Sequence, residues 1–240
     1  MDILCVISLT FVLSFIAYRF ELLTKDGTIA AAITGLIIGF FGSVAWLFLL
    51  VVFAALGFVA TMAGISKKKE KGLQEGTHGE RTAKNVIGVA FPCIVFAVLN
   101  AITGDNHHYL MILGYISTIA VAAADTSASE IGTKDKRVYL ITTFKRVEPG
   151  VDGGISPLGT LVSLLASIVV TIIGWTAIFG FDYNIDIIWP MLAGFIGCML
   201  DSLFGATLET KGYINKYVNN SATGVIGGLI AIALAACLNL

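Results

Sequence analysis

Long apolar runs alternate with short polar connections along the whole chain. Eight of these runs approach or reach the length that crosses a bilayer: Ile3–Tyr18, Thr28–Phe41, Val44–Ile65, Val86–Ile102, Tyr109–Ala124, Leu158–Phe179, Ile187–Ala206 and Ala222–Leu238. A straight transmembrane helix needs about 20 apolar residues, with about 17–25 tolerated. The pattern predicts an all-α polytopic membrane protein of about eight transmembrane helices, forming one integral membrane domain over residues 1–240. The second run is short and follows Gly27, which points to a kinked, re-entrant or buried segment; seven and nine spans are the competing counts. The chain turns apolar directly after Met1-Asp2, with no basic n-region and no A-x-A site, so the first run reads as a retained span.

Eight alternating spans sort the polar connections into two sets. The first comprises 19–27, 66–85, 125–157 and 207–221, and it holds all 15 Lys and Arg residues. The second comprises the termini, the turn at Gly42-Ser43, 103–108 and 180–186; its only charged residues are Asp2, Asp105, Asp182 and Asp186. By the positive-inside rule the first set faces the cytoplasm, with both termini outside.

Composition agrees with lipid as the solvent. The chain is 57% hydrophobic and 13% charged, with a mean hydropathy of +0.89, whereas a soluble domain carries about 25% charged residues. A net charge of −1 gives no basis for a nucleic-acid partner. Cys5, Cys93, Cys198 and Cys237 lie inside apolar runs without C-x-x-C spacing and read as small hydrophobes.

The candidate chemistry gathers on the predicted cytoplasmic side. The fifth run ends in AADTSASEIG, residues 123–132, and a continuing helix stacks Asp125 and Ser129 on one face. The seventh contains GCMLDSLFGATLE, residues 197–209, where Gly197 and Gly205 flank Asp201 at helical spacing. An ionisable group inside an apolar run costs several kcal/mol unless paired, so function is its default reading. The competing readings are a solvated helix end for Asp125, close helix packing for the two glycines and a structural ion pair for Asp201.

Between these motifs lies EPGVDGGISPLGT, residues 148–160, preceded by Lys145-Arg146. Glycines let backbone amides close on an anion, and a helix N-terminus adds a favourable dipole. Lys145 and Arg146 supply charge-assisted donors. Asp125, Asp152 and Asp201 are hard oxygen ligands of the kind Mg²⁺ takes beside phosphates. The mixture predicts a metal–nucleotide site: Asp125, Lys145, Arg146 and Asp201 as catalytic groups, and Asp125, Asp152 and Asp201 as metal ligands. Lys25, Arg81, Lys84, Asn85, Ser127, Ser129, Glu130, Gly150, Gly153, Gly154, Ser156, Gly159, Thr160 and Ser202 are the expected nucleotide and phosphate contacts.

Elsewhere the basic run at 66–71 reads as a lipid-facing cluster. His107-His108 read as a solvated loop, with metal binding the less favoured alternative. Trp46, Trp175 and Trp189 lie near run ends and read as interfacial anchors. Asn219-Asn220 either cap the eighth span or reach the site.

The motifs ADTSASEIG, KRVEPGVDGGISPLGT and LDSLFGATLE together resemble the integral-membrane family containing phytyl-phosphate kinase and transmembrane protein nineteen. Lys25-Asp26-Gly27 and Arg81 to Asn85 join the likeness, which runs over nearly the whole chain. The K-R-x-x-P-G-x-x-G-G pattern is more remotely similar to the CTP-using dolichol kinase, phytol kinase and CDP-diacylglycerol synthase. The resemblance implies CTP or another nucleotide triphosphate as co-substrate, Mg²⁺ and a cytoplasmic-face site in a cell membrane. Val151-Asp152 stand where the synthases carry a His, and their D-R-x-D carboxylates are absent; both departures argue against cytidylyl transfer.

An alcohol acceptor must lose a tightly held proton, so a nearby base helps. A phosphate monoester is already ionised near neutrality, with a second pKa of about 6, but its charge must be neutralised. The predicted cytoplasmic side has His78 as its one His and many basic residues, which favours an isoprenoid phosphate converted to its diphosphate. A polyprenol or phytol-type alcohol kinase and an ion-coupled transporter or flippase stay open, as does homo-oligomerisation.

Overall fold

A computed structural model describes the backbone of residues 3–70 and 79–238 and the side chains of 3–62 and 79–237. Lys67, Lys68, Lys69, Lys71 and His78 therefore lie outside the described side chains.

Among the described residues eight α-helices follow one another: α1 (Ile3–Arg19), α2 (Lys25–Phe41), α3 (Val44–Glu70), α4 (Ala83–Thr103), α5 (His108–Ile131), α6 (Pro157–Phe179), α7 (Ile188–Phe204) and α8 (Lys216–Leu238). The apolar runs predict all eight. Six of them, α3 to α8, are long and apolar enough to cross a membrane. At 17 residues each, α1 and α2 span about 26 Å at 1.5 Å per residue, short of the roughly 30 Å hydrocarbon core.

The chain is mostly helical rather than all-α. Within 125–157 a small antiparallel sheet forms from β1 (Val138–Leu140), β2 (Arg146–Val147) and β3 (Gly154–Ile155), in the order β2-β1-β3. Strands of two or three residues carry no readable alternation, so sequence pattern alone passes over them.

Helix α5 is the axis. It packs against α3, α4, α6, α7 and α8, and 72% of its membrane-spanning stretch is buried. Glycines permit the close approach: a Cβ at Gly197 would press into Val121, and one at Gly114 would lie 2.6 Å from Phe96 Cδ1. Gly197 is thus a packing residue, the competing reading of its motif.

Two tryptophans overturn the anchor expectation. Trp46 and Trp175 are buried, each 1% exposed. Trp46 stacks on Tyr115 with ring centroids 4.2 Å apart, and Tyr115 donates to the Trp46 carbonyl at 2.7 Å. Trp175 packs on Phe179 and donates its indole N–H to the Asp182 carbonyl. An indole with an internal acceptor has no need of the headgroup region.

Candidate functional site

The segments that position the site are tied together at one end of the helices. Leu23 and Arg81 form a parallel bridge; the Arg81 N–H donates to the Leu22 carbonyl and the Thr24 N–H to the Arg81 carbonyl. Asp26 accepts from the Ala83 N–H at 3.1 Å. Thr24 caps α2 through the Gly27 N–H, and a Cβ on Gly27 would meet the Arg81 carbonyl oxygen at 2.5 Å. The K-D-G motif is therefore a tie that fixes where Arg81 emerges. Asn85 accepts from the Thr82 N–H, closing a capping box at the start of α4.

Arg81 projects towards α3 and α5. Its guanidinium Nη2 donates to Thr61 Oγ1 at 3.2 Å and lies 3.6 Å from Glu130. Thr61 donates in turn to Glu130. Glu130 is 5% exposed, so the triad holds a buried carboxylate against one cation.

The Gly-rich loop docks on the end of α7. There α7 continues into a π-helical turn, Gly205–Glu209, a feature often found at functional sites. Gly153 has φ +76°, and a Cβ there would collide with Ala206, whose Cα and N would lie 2.7 Å away. A Cβ on Gly205 would lie 3.2 Å from the Gly153 N. A second contact of this kind joins Gly132 to Gly159, with Ser156 capping α6. These glycines serve backbone-to-backbone packing that assembles the site.

One cavity of about 850 Å³ results. Asp125, Glu130, Asp152, Asp201 and Glu209 line its polar end together with Arg81, Lys216 and the loop from Pro149 to Ser156. Its other end is walled by apolar side chains of α1, α2 and α3. Asp125 and Asp201 face each other within hydrogen-bonding reach from α5 and α7. Thr223 on α8 donates to Asp201 Oδ1 at 3.3 Å, and Asn219 to the Asp201 carbonyl at 3.0 Å.

Of the predicted site residues, Arg81, Asn85, Asp125, Ser129, Glu130, Gly150, Asp152, Gly153, Gly154, Ser156, Gly159, Thr160, Asp201 and Ser202 all line this cavity. Lys25, Lys84, Ser127, Lys145 and Arg146 do not. Lys145 and Arg146 are exposed, and β2, which carries Arg146, is separated from the cavity-lining β3 by β1. Arg146 donates to the Lys136 carbonyl instead. On the outer part of the same loop, the Arg137 guanidinium holds the Asp135 carboxyl at about 2, well below the usual range.

Glu209 and Lys216 are cavity residues that sequence reasoning misses. The TLE continuation after Gly205 is the available signal for the first; a lone Lys opening a helix gives none for the second. Of the Asn219-Asn220 pair, Asn220 lines the cavity and Asn219 is buried behind it, donating to the Asp201 carbonyl, while Asn215 accepts from the Tyr217 and Val218 N–H groups at the helix start.

Among the described residues no three His, Cys, Asp or Glu side chains converge as a ready metal cage. The donor set still suits Mg²⁺, which is commonly held by one or two carboxylates plus substrate phosphates. The facing Asp125 and Asp201 supply that pair, and among the described residues the polar end is lined by five acids and two cations.

The chain matches the family described as Integral membrane protein DUF92 over residues 8–233. It belongs to that family. An uncharacterized membrane protein of Methanocaldococcus jannaschii is 37% identical over 93% of this chain and 90% of its own length. Protein VTE6, chloroplastic, of Arabidopsis thaliana is 32% identical over 81% of this chain and 59% of its own length. Protein PGR of the same plant is 30% identical over 90% and 81%. No solved structure matches the chain. As a member of this family the chain is a multi-pass integral membrane protein.

Proposed function

We propose that this protein is a prenyl-phosphate kinase. It transfers the γ-phosphoryl group of a nucleotide triphosphate, CTP by the family resemblance, to an isoprenoid monophosphate, giving the diphosphate. The observation that carries the reading is the amphiphilic lining of the cavity: apolar walls from α1 to α3 lead directly into a polar end with acids, cations and amides. Such a space suits a lipid tail with an anionic head and a polyphosphate partner. The likeness to the family containing phytyl-phosphate kinase supports it. The active end faces the cytoplasm by the segregation of Lys and Arg.

In this reading Asp125 and Asp201 hold Mg²⁺, which when bound offsets the charge of the phosphates. Arg81 and Lys216 draw the two anionic substrates together, and the loop amides around Gly150 and Gly154 orient the triphosphate. An oxygen of the acceptor phosphate attacks the γ-phosphorus in line, and the bond to the β-phosphate oxygen breaks with release of the nucleoside diphosphate. Transfer gains chiefly from positioning and from fixed charge in a site shielded from water.

The facing Asp125 and Asp201 favour a second reading, since a carboxylate there can take the proton of a hydroxyl acceptor. Purified protein in lipid with Mg²⁺ and γ-labelled CTP, ATP, GTP or UTP separates the two when geranylgeranyl phosphate and geranylgeraniol are offered in parallel. Label in a diphosphate supports the kinase proposed. Label entering only the alcohol moves the assignment to a polyprenol kinase. No transfer from any nucleotide rejects both and turns attention to ion-coupled transport.

A further inference from the structure

The apolar half of the cavity ends in a closed floor. Thr10 of α1, Gly35 of α2 and Leu47 of α3 all line the cavity. A Cβ on Gly35 would lie 3.1 Å from Thr10 Cγ2 and 3.4 Å from Leu47 Cδ1, so the three meet one another. All are sealed from outside: Thr10 is 5% and Leu47 2% exposed, and Gly35 is buried. At the other end Thr61, also on α3, bonds to Arg81 and Glu130. One helix therefore carries both limits of the cavity.

We infer that the Thr10–Gly35–Leu47 floor is the stop that sets the longest isoprenoid tail the site accepts, with α3 as the ruler. The inference rests on the prenyl-phosphate reading, which places the acceptor head beside Arg81. Fourteen residues separate Leu47 from Thr61, about 21 Å at the helical rise. An extended chain advances roughly 1.2 Å per bond, so this length holds about 17 chain bonds. Each isoprene unit adds four chain carbons, so about four units fill the space and longer tails meet the floor. Ala31 also lines the cavity, one turn before Gly35 on the same face of α2. A larger side chain at Ala31 raises the floor by about 6 Å, roughly one unit.

The test uses full-length protein in nanodiscs with saturating CTP and Mg²⁺, offered prenyl monophosphates of two to six isoprene units. Wild-type kcat/KM is expected to drop at least about tenfold beyond four units. Leu47→Ala should recover the longer acceptors, and Ala31→Leu should move the drop one unit shorter. A purely structural role would scale all lengths alike. A length profile identical in wild type and both variants overturns the inference while leaving the kinase reading intact. Should Leu47→Ala fail to fold, Ala31→Leu decides alone. Should no prenyl phosphate be phosphorylated, the kinase reading fails, and thermal shift with the same series decides the floor: a length limit that moves with the variants supports it, and an unmoved one rejects it.

Discussion

Replacing Gly153 with Ala tests whether the Gly-rich loop builds the site by docking on α7. Two costs are expected. Gly153 sits at φ +76°, a region that costs an L residue about 1–2 kcal/mol. The new methyl would also meet the Ala206 backbone, with Cα and N only 2.7 Å away, and backbone cannot swing aside as a flexible side chain can. Overpacking of this kind costs about 1–3 kcal/mol. The total is about 2–5 kcal/mol, and relief requires the loop to lift from the turn at Gly205–Glu209. Gly212 provides the control: its φ is +74°, and a Cβ there meets nothing within 4 Å. Gly212→Ala should therefore show the conformational cost alone, about 1–2 kcal/mol. The assay is denaturant unfolding of both variants in lipid, paired with phosphoryl transfer. Gly153→Ala should be less stable than Gly212→Ala by at least about 1 kcal/mol, and much less active. Equal stabilities with full activity in both would refute the docking argument.

Other outcomes follow from single contacts. The Asp135 carboxyl is held at about 2 by Arg137, below an ordinary value of about 3.9; its stabilising effect is complete above the ordinary value and is lost as pH falls towards 2. Carboxyl NMR of labelled Asp should find that titration near 2 in wild type and raised towards the ordinary value in Arg137→Gln, where the backbone N–H bonds from residue 137 and Leu158 persist; a normal value in wild type would contradict the pairing. The Thr10 hydroxyl is buried without a partner among the described residues, so Thr10→Val should leave stability unchanged or raise it by up to about 1 kcal/mol; a clear loss on unfolding would refute this. Arg81 is a third exposed while Glu130 is buried, so the coupling between Arg81→Ala and Glu130→Ala should be about 1–2 kcal/mol in a double-mutant cycle, and additive effects would show that the contact carries nothing.

The helices were legible because a membrane span is a local property, set by the length of one apolar run. Asp125, Asp201 and the Gly-rich loop were legible for the opposite reason: each breaks a local rule by placing charge or flexibility where lipid-facing sequence has neither. Misreadings came where direction mattered. Lys145 and Arg146 adjoin the loop in sequence, yet the sheet turns β2 away from the cavity, and strands this short leave no pattern to announce it. Trp46 and Trp175 lie near helix ends, which is where anchors lie, but Trp46 is buried against the stacked Tyr115 ring and the Trp175 indole donates inwards to the Asp182 carbonyl. The glycines were expected to let amides close on an anion; the structure shows Gly153 and Gly132 packed on protein backbone at Ala206 and Gly159, which only tertiary packing reveals. Glu209 and Lys216 reach the cavity because a π-helical turn and a short connection bring α8 back beside α7, a geometry without a local sequence rule.

In the proposed kinase the Asp125–Asp201 pair at the polar end of the cavity supports phosphoryl transfer to a lipid phosphate. The most direct measurement compares wild type with Asp201→Asn in lipid, using γ-labelled CTP, Mg²⁺ and geranylgeranyl phosphate, with thermal unfolding run in parallel. Wild type should give labelled diphosphate, and Asp201→Asn should lose about 10²–10³-fold while still folding. Undiminished transfer by folded Asp201→Asn would contradict that role.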